Sequence, residues 1–188
     1  ASMPTDKYAQ HHIILNLRDE AHRLENWRDG EYRDFIYHKN EIIVTPAGVA
    51  SGWKWHVKTK CIIITLEPVK FEKFAQTELG ILLSTGQLKN LPQFLDEDIT
   101  QSGIQLLEAL QCDLGSQVMF ESFARIFLTK LILKYGLPQA EYDFSKSFTA
   151  KHYKQVLNYI AVNYGKNILL EDMAAQASLS ASHFSRLF

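Results

Sequence analysis

The chain has 188 residues, of which 46% are hydrophobic and 22% charged, and its formal net charge is -1. These values are typical of a soluble globular protein with one moderate domain and a smaller segment, and they give no electrostatic sign of a nucleic-acid-binding protein. No apolar run approaches the roughly 18 residues that a membrane-spanning helix needs. Cys61 and Cys112 share no metal-ligand or redox spacing, which predicts reduced thiols in a cytoplasmic protein.

The residues from His11 to Pro68 follow the pattern of short strands joined by tight turns. Asp29-Gly30 lies between two such strands and is the strongest hairpin signal in the sequence. This arrangement predicts a sandwich or a barrel that closes on itself, and not a parallel sheet with helices between its strands. Ala1-Ser2 before Met3 resemble residues left by an expression vector and are left out of the predicted fold. The predicted strands are 11–17, 24–28, 32–38, 41–45, 53–57 and 61–66, and the last of these is predicted to be buried.

Residues 69–136 change to the period of helices. Asp96-Glu97-Asp98 is predicted to be an acidic turn that caps the helix after it. The longest predicted helix is apolar around much of its circumference, which is typical of a helix covered on both sides. The barrel is predicted to cover one side of this helix, and either a second subunit or another part of the same chain covers the other side. The predicted helices are 69–77, 102–114 and 118–135, the last ending before Gly136 and Pro138.

The end of the chain predicts two short helices joined by a tight turn. The first, 170–177, carries alanines and larger apolar residues at helical spacing on one face. Ser180 is placed to cap the second, 181–188, in which Phe184 packs inward. The pattern is that of a helix-turn-helix that binds DNA in the major groove, although any helical hairpin can produce it. The other face of the second helix presents Ser182, His183, Ser185 and Arg186.

The residues from Ile168 to Phe188 resemble the first helix-turn-helix of AraC/XylS-type transcription regulators. The resemblance is carried by Met173-Ala174, Leu179-Ser180 and the closing run HFSRLF. In that family the positions that match Ser182, Ser185 and Arg186 face base edges, and neighbouring positions contact phosphate. The resemblance therefore implies a DNA-binding surface of Ser182, His183, Ser185 and Arg186. It makes Arg186 the best candidate for a bidentate contact to guanine, whereas serines discriminate weakly between bases.

The chain departs from the family pattern at three places. Leu169 stands where the family has a serine or threonine cap, although Glu171 and Asp172 suit the positive end of the helix dipole. Ser178 replaces the usual turn glycine and is expected to adopt a left-handed conformation. The family continues after the position of Phe188 with a second helix-turn-helix, so the sequence is interpreted as a shortened regulator that cannot bind an operator properly.

The N-terminal half resembles the cupin-type sensor barrel of the same family. The resemblance lies in RDFIYHKNEIIVTPAGVASGWKW, where Asn40-Glu41 stands for the usual Gly-Asp and Pro46-Ala47-Gly48 for the Pro-Pro-Gly turn. Together the two resemblances imply an α+β protein with a cupin-like β-barrel, then helices, then a truncated helix-turn-helix fragment. Because family members dimerise through helices that follow the barrel, 102–135 is the candidate for homodimerisation. The predicted units are 8–138 for ligand sensing and dimerisation, 139–150 for a linker, and 151–188 for the DNA-binding part. The last of these is predicted to contain a scaffold helix at 152–164, whose apolar face carries Tyr153, Val156, Leu157 and Ile160.

The motifs of catalysis are missing from the sequence. The strand that would carry a cupin metal site reads Trp53-Lys54-Trp55-His56, without a His-x-His pair or a following carboxylate. His11 and His12 point to opposite faces of a strand and are predicted to be surface or partly buried histidines. We find neither a phosphate-binding glycine loop nor a nucleophile elbow. The sequence therefore predicts no enzyme, no metal and no cofactor.

A pocket remains as the candidate site in the barrel. Trp53 and Trp55 share one strand face, and Cys61, Ile63 and Thr65 share one face of the next strand. If these faces line the barrel, its aromatic interior suits a small ligand with an apolar or sugar-like face. The alternative is that both tryptophans only fill the barrel. Lys54 and His56 lie on the opposite face and are predicted to be exposed.

These observations predict a regulator that senses a small metabolite in the barrel and binds DNA through the helix-turn-helix. The effector is expected to change how two subunits place their helices on the operator. One alternative is a small-molecule-binding or catalytic cupin whose helical tail has no DNA function. Another is a dimerising regulator that has lost its sensor because side chains fill the barrel.

Overall fold

The computed structural model describes residues 2–112, 115–139 and 150–187. Its N-terminal half consists mainly of short strands, and helices dominate after residue 96. The strands are β1 (Ser2–Lys7), β2 (His11–Asn16), β3 (His22–Arg28), β4 (Glu31–Tyr37), β5 (Glu41–Thr45), β6 (Ala50–Trp55), β7 (Cys61–Leu66), β8 (Leu83–Leu88), β9 (Leu91–Leu95) and β10 (Gly136–Pro138). The helices are α1 (Pro68–Leu79), α2 (Glu97–Leu110), α3 (Ser116–Tyr135), α4 (Ala150–Asn163), α5 (Leu170–Gln176) and α6 (Ala181–Leu187).

Two antiparallel sheets form a cupin-like sandwich. The outer sheet has the strand order β1-β6-β3-β4, and the inner sheet has the order β7-β2-β5-β9. A short pair, β10-β8, lies apart from both sheets. The order is not sequential and every pairing is antiparallel. These observations confirm the predicted α+β class with a β-rich N-terminal half followed by helices.

The inner sheet forms the middle layer of the N-terminal part. On one face, Ile13, Leu15 and Ile42 pack into a core with residues of α1, α2 and α3, among them Phe71 and Leu131. On the other face, alternate residues meet the outer sheet in a second core that contains Leu24, Tyr37, Ile43 and Trp53. Because side chains alternate along a strand, β5 is buried over its full length.

The predicted hairpin is present. Asp29 and Gly30 both have positive φ, 50° and 81°, and join β3 to β4 through seven paired positions from His22–Tyr37 to Arg28–Glu31. Two consecutive residues with positive φ give the twist that matches the flanking strands. The two-residue turn thereby fixes the register of the outer sheet.

The structure corrects several sequence-based predictions in the first half. Ser2, left out of the predicted fold, begins β1 and pairs with Lys54. Residues 69–136 are not helical throughout, since β8 and β9 lie between α1 and α2. The strand 61–66 is not fully buried, because Ile63 is 59% exposed while its neighbours Ile62 and Ile64 pack into the core.

A helical hairpin of α2 and α3 covers the inner sheet. Asp96 caps α2, because its carboxylate accepts a hydrogen bond from the Ile99 N–H at 3.1 Å. The same carboxylate binds Lys134 Nζ at 3.0 Å and accepts from Tyr135 Oη at 2.6 Å at the end of α3. The predicted acidic cap is therefore confirmed, and it also joins the start of one helix to the end of the other. The helix α2 begins earlier and ends earlier than the predicted 102–114.

The helix α3 buries one face only. Phe127, Leu131 and Ile132 are at most 3% exposed. Apolar side chains elsewhere on the helix are exposed: Val118, Met119, Ile126 and Leu133. In the described residues no helix, α3 included, combines the length and apolar character required to cross a membrane.

The predicted linker falls mainly on 140–149, which lie outside the described residues.

Gly52 provides a test of how β1 joins the sandwich. The β1-β6 register is irregular between Met3 and Asp6, and there the backbone of Thr5 lies directly over Gly52. A Cβ at Gly52 would lie 2.8 Å from Thr5 N and 2.9 Å from Thr5 Cα. We expect Gly52→Ala to lower the free energy of unfolding by about 1–3 kcal/mol, because backbone has to move. Urea unfolding followed by tryptophan fluorescence measures the change.

The matched control is Gly86→Ala, where the new Cβ would lie 3.4 Å from Leu137 Cδ1 and has room. We expect this variant to stay within about 0.5 kcal/mol of the wild type. Equal unfolding midpoints for Gly52→Ala and the wild type would contradict the close approach of β1.

Candidate functional site

A cavity of about 160 Å³ lies between the outer and inner sheets. The inward-facing side chains of several strands form its walls. Its lining is mostly apolar and aromatic and consists of Met3, Ile14, Asn16, His22, Leu24, Tyr37, Ile43, Trp53, Trp55, Thr59, Cys61 and Ile63. An adjoining cavity of about 120 Å³ shares Met3, Ile14, Trp53 and Ile63 with it. The exposed edge strand β7 carries Cys61 and Ile63 at the solvent side.

Four of the five predicted ligand-binding residues line this cavity. Trp53 is 6% exposed, and Trp55, Cys61 and Ile63 lie on the same walls. Thr65 does not line it and instead borders a separate surface depression beside α1. Thr65 shares a strand face with Cys61, but four residues of strand span about 13 Å, so one small cavity does not reach both ends.

Arg28 joins the two sheets beside the cavity. Its guanidinium is buried, and it donates hydrogen bonds to Val44 O at 3.0 Å and Asn90 Oδ1 at 2.6 Å. It also contacts the Thr45 hydroxyl at 2.5 Å and lies 5.4 Å from the centroid of the Trp53 ring. Burial lowers the pKa of Arg28 to about 10, so it remains a cation at neutral pH. This cation holds the outer sheet to the inner sheet and fixes one face of Trp53.

Two polar residues of the lining are bound by other protein groups. Asn16 Nδ2 donates to His38 O at 2.9 Å, and its Oδ1 accepts from the Arg18 N–H at 3.1 Å. Tyr37 Oη lies 3.1 Å from Glu41 O, to which it donates. Burial raises the pKa of Tyr37, which keeps the hydroxyl protonated. Both residues therefore hold the wall in place.

His22 differs from these two residues. It is 6% exposed, and neither ring nitrogen has a hydrogen-bond partner of good geometry among the described residues. Its ring contacts Tyr37 edge to face, with centroids 5.7 Å apart. Burial lowers the pKa of His22, a poorly aligned hydrogen bond with the backbone of Glu20 partly offsets this, and the charge of Arg18 lowers the pKa further, so the ring is neutral at pH 7. Sequence analysis missed His22 because its strand was predicted to begin at Leu24, with which His22 shares a face.

His11 and His56 have hydrogen-bond partners. His11 is only 2% exposed, contrary to the prediction of a surface or partly buried residue, because it closes the inner sheet beside β8. Its Nδ1 accepts from the Ala47 N–H at 2.9 Å, and its Nε2 donates to Gln87 Oε1 at 2.8 Å. On the outer face His56 binds Glu25 at 2.7 Å. In the described ranges no group of three or more His, Cys, Asp or Glu side chains could hold a metal ion.

The last three helices pack around a core of their own. Val156, Ala174, Ala177 and Phe184 are at most 1% exposed, and Ile160, Met173 and Leu179 pack against them. The alanines let α5 and α6 approach closely, as the sequence predicts. On α4 the predicted apolar face is only partly buried, since Tyr153 is 49% exposed.

The turn between α5 and α6 has the hydrogen bonds of a Schellman motif. The Leu179 N–H donates to Ala174 O at 3.0 Å, and the Ser178 N–H donates to Ala175 O at 3.0 Å. Ser178 has φ of 56°, as predicted from its place in the turn. At the start of α5, the Leu169 N–H donates to Asp172 Oδ2 at 3.3 Å, so the acidic residue supplies the acceptor for this N–H.

The exposed face of α6 contains two predicted DNA-binding residues. Ser182 and Ser185 are both exposed, three residues apart on one side of the helix, while Phe184 is fully buried. The other two, His183 and Arg186, lie on the same short helix, but their side chains are outside the described residues. The spacing of 182, 185 and 186 places the three positions on neighbouring turns of one helix face.

The fold is that of an α+β protein with a cupin-like sandwich followed by helices, and solved structures that are similar to it include the following three. Apo ToxT from Vibrio cholerae strain SCE256, with a lysine replaced by alanine, is 9% identical, with 96% of this chain and 67% of that chain covered and a TM-score of 0.46. Unsaturated fatty acid-bound wild-type ToxT from the same strain is 11% identical, with 99% and 68% covered and a TM-score of 0.44. The AraC-like transcriptional activator CuxR is 10% identical, with 96% and 61% covered and a TM-score of 0.37.

The sequence comparisons are negative. No protein-family model matches the chain, and no curated protein sequence matches it. At 9–11% identity to the three solved structures, no residue role is carried over from them.

Ser178 provides a test of the helix-turn-helix geometry. A left-handed residue with a Cβ is strained, so we expect Ser178→Gly to stabilise α5 and α6 by roughly 0.5–1 kcal/mol. Hydrogen exchange of the α5 and α6 amides measures the local free energy of opening. As a control, Ala175→Gly, at an exposed position in the interior of α5, should destabilise that helix by about 1 kcal/mol. If both changes had the same sign, Ser178 would not be in a strained turn.

Proposed function

We propose that the chain belongs to a transcription regulator of the AraC type, which binds a small molecule between its two sheets and DNA through α6. The observation that carries the proposal is the α4–α6 unit. Its own core, its Schellman turn and the exposed serines of α6 provide what a helix-turn-helix needs to present one helix to a groove. The sequence motif from Ile168 to Phe188 supports the same proposal independently of the coordinates.

The proposed DNA surface consists of Ser182, His183, Ser185 and Arg186. Arg186 is proposed to contact guanine, whose two acceptors match the planar guanidinium. The exposed serines contact bases or phosphates with less discrimination. Residues 151–188 carry four basic and two acidic side chains, so their net positive charge is small for a DNA-binding unit. Binding is therefore proposed to depend on a few directed contacts and on a second subunit more than on net charge.

The sandwich is proposed to act as the sensor. The cavity of about 160 Å³ has apolar and aromatic walls and opens beside β7, features typical of small-molecule sites. A ligand changes DNA binding only if it binds one arrangement of the protein more tightly than another. The helices α2 and α3 cover the opposite face of the inner sheet. Because they pack directly against it, a displacement of that sheet displaces these helices as well.

Homodimerisation is proposed to use α3, within the predicted segment 102–135. Met119, Ile126 and Leu133 are 39%, 44% and 57% exposed, and they recur at intervals of seven residues. This spacing places them in one stripe along the helix, the pattern of helices that pair side by side. Val118 adds a further exposed apolar side chain at the start of α3.

A small-molecule-binding cupin without DNA function is the second candidate. The cavity favours it as much as it favours a sensor, since the cavity is the same in both. The two candidates differ only in what α6 does. DNA binding by the full-length natural protein separates them.

Arg186→Ala in the full-length natural protein tests the DNA surface. We expect selection from a random DNA pool to recover a preferred site with the wild type. The variant should bind that site about 10-fold or more weakly and lose preference at one base pair, because a bidentate arginine-guanine contact is worth about 1–3 kcal/mol. A mobility-shift assay measures both effects.

The control is Arg125→Ala, which removes the same charge from α3, where Arg125 pairs with Glu78 at 2.6 Å. It should leave base preference unchanged. If no DNA site is recovered, or if Arg186→Ala keeps both affinity and preference, the cupin without DNA function becomes the better interpretation.

Ile126→Glu tests the dimer. A charge in the middle of the apolar stripe has to be desolvated on association, so we expect a dimeric wild type and a monomeric variant by sedimentation equilibrium. Val69→Glu is the control, because Val69 is 72% exposed on α1 and lies outside the stripe. A variant Ile126→Glu that remains dimeric would place the interface elsewhere.

A further inference from the structure

The cavity between the sheets combines aromatic walls with a buried polar side chain, His22, whose ring nitrogens have no well-aligned partner among the described residues. Tyr37, Trp53 and Trp55 supply three aromatic rings to the lining. The side chains of Asn16 and Tyr37 already make hydrogen bonds to protein backbone, so neither needs a ligand as a partner. His22 lines the same cavity, is 94% buried, and neither of its ring nitrogens makes a hydrogen bond of good geometry with a described residue.

A buried imidazole without well-aligned partners weakens the fold, because its nitrogens lose water and gain little in return. An apolar residue of similar volume in the same place would pack against Leu24 and Tyr37 without this penalty. Such a group calls for an explanation, and a hydrogen-bonding ligand in the cavity that it faces is the one proposed here.

The size and charge of the cavity restrict the ligand. A cavity of about 160 Å³ resembles in size the engineered apolar cavity of roughly 150 Å³ that binds benzene. None of the described residues that line it is a lysine or an arginine, so a carboxylate would be desolvated there without a cationic partner. Flat walls of Tyr37, Trp53 and Trp55 favour a planar ring.

We propose that the cavity binds a neutral single-ring aromatic molecule with one hydroxyl or N–H group, and that His22 accepts the hydrogen bond from that group. The inference rests on the proposed sensor function of the sandwich and adds to it the class of ligand and the residue that recognises it. The mouth beside Cys61 and Ile63, both exposed, provides the path of entry.

The role of His22 in ligand binding and a merely structural role predict opposite effects on stability. If His22 recognises a ligand, His22→Leu removes an unsatisfied buried group, so the ligand-free variant melts at a higher temperature while binding of the hydroxylated ligand weakens. If His22 supports the fold, the same variant melts at a lower temperature.

The binding test uses p-cresol and toluene, which have the same ring and methyl group and differ by one hydroxyl. Isothermal titration with the complete chain should show that p-cresol binds the wild type about 2–12-fold more tightly than toluene, the range expected for one net hydrogen bond. In His22→Leu the preference should disappear or reverse. His38→Leu, the same change at a histidine whose side chain is 58% exposed, should keep the wild-type preference.

Three results overturn the inference. Equal binding of both probes to the wild type, or an unchanged preference in His22→Leu, removes the role of His22 but leaves the cavity as a binding site. No binding of either probe removes the sensor role of this cavity as well. A mobility-shift assay on the full-length natural protein reports the DNA-binding half of the proposed function separately.

The hydrogen bond to His22 can also be tested in the wild-type protein, without the His22→Leu variant. With histidine labelled by ¹⁵N, p-cresol should shift the His22 ring resonances to the values of a hydrogen-bonded imidazole, and toluene should leave the bonding state unchanged. Equal shifts with both probes would contradict the hydrogen bond.

Discussion

The burial of the inner sheet on both faces is the constraint on which the rest of the structure depends. Its strands β2 and β5 have apolar residues on successive positions, so neither face tolerates water. Helices α2 and α3 cover one face, and the outer sheet covers the other. Polar groups caught in between need a partner; Asn16, His11 and Arg28 each find one in the protein, whereas the His22 ring has none of good geometry among the described residues.

The cavity arises because the two sheets are connected more tightly on one side than on the other. Arg28 holds the outer sheet against β5 next to Trp53, whereas the exposed edge strand β7 leaves the opposite side open at Cys61 and Ile63. The inner sheet is thus the shared wall of the cavity and of the helical core. Any adjustment of that wall to a ligand has to be accommodated by α2 and α3, since close-packed interiors transmit small displacements. This connection is the physical basis of the proposed sensing.

Local signals in the sequence predicted the elements that depend on local interactions. Asp29-Gly30, the acidic cap at Asp96 and the left-handed Ser178 were all confirmed, because turn and cap chemistry is decided within a few residues. The strand β8, LSTGQL, lacks alternation and is held by pairing with β10 some 50 residues later, which no local pattern reveals.

The candidate site was predictable only in part, for the same reason. Strand alternation identified Trp53 and Trp55 as neighbours, and the structure places both on the cavity wall. Thr65 was assigned to the wall because alternation gives the face of a strand and not the distance along it. His22 was missed because its burial depends on the cross-strand pairing with Tyr37.

The most direct test of the central claim is the dissociation constant of the full-length natural protein for its selected DNA site, measured without ligand and with a saturating small molecule that displaces p-cresol from the cavity. Coupling between a sensor and a DNA-binding unit predicts a change of about 5–150-fold between the two conditions. The same dissociation constant in both conditions, with the cavity shown to be saturated, would contradict the claim that the sandwich regulates the helix-turn-helix.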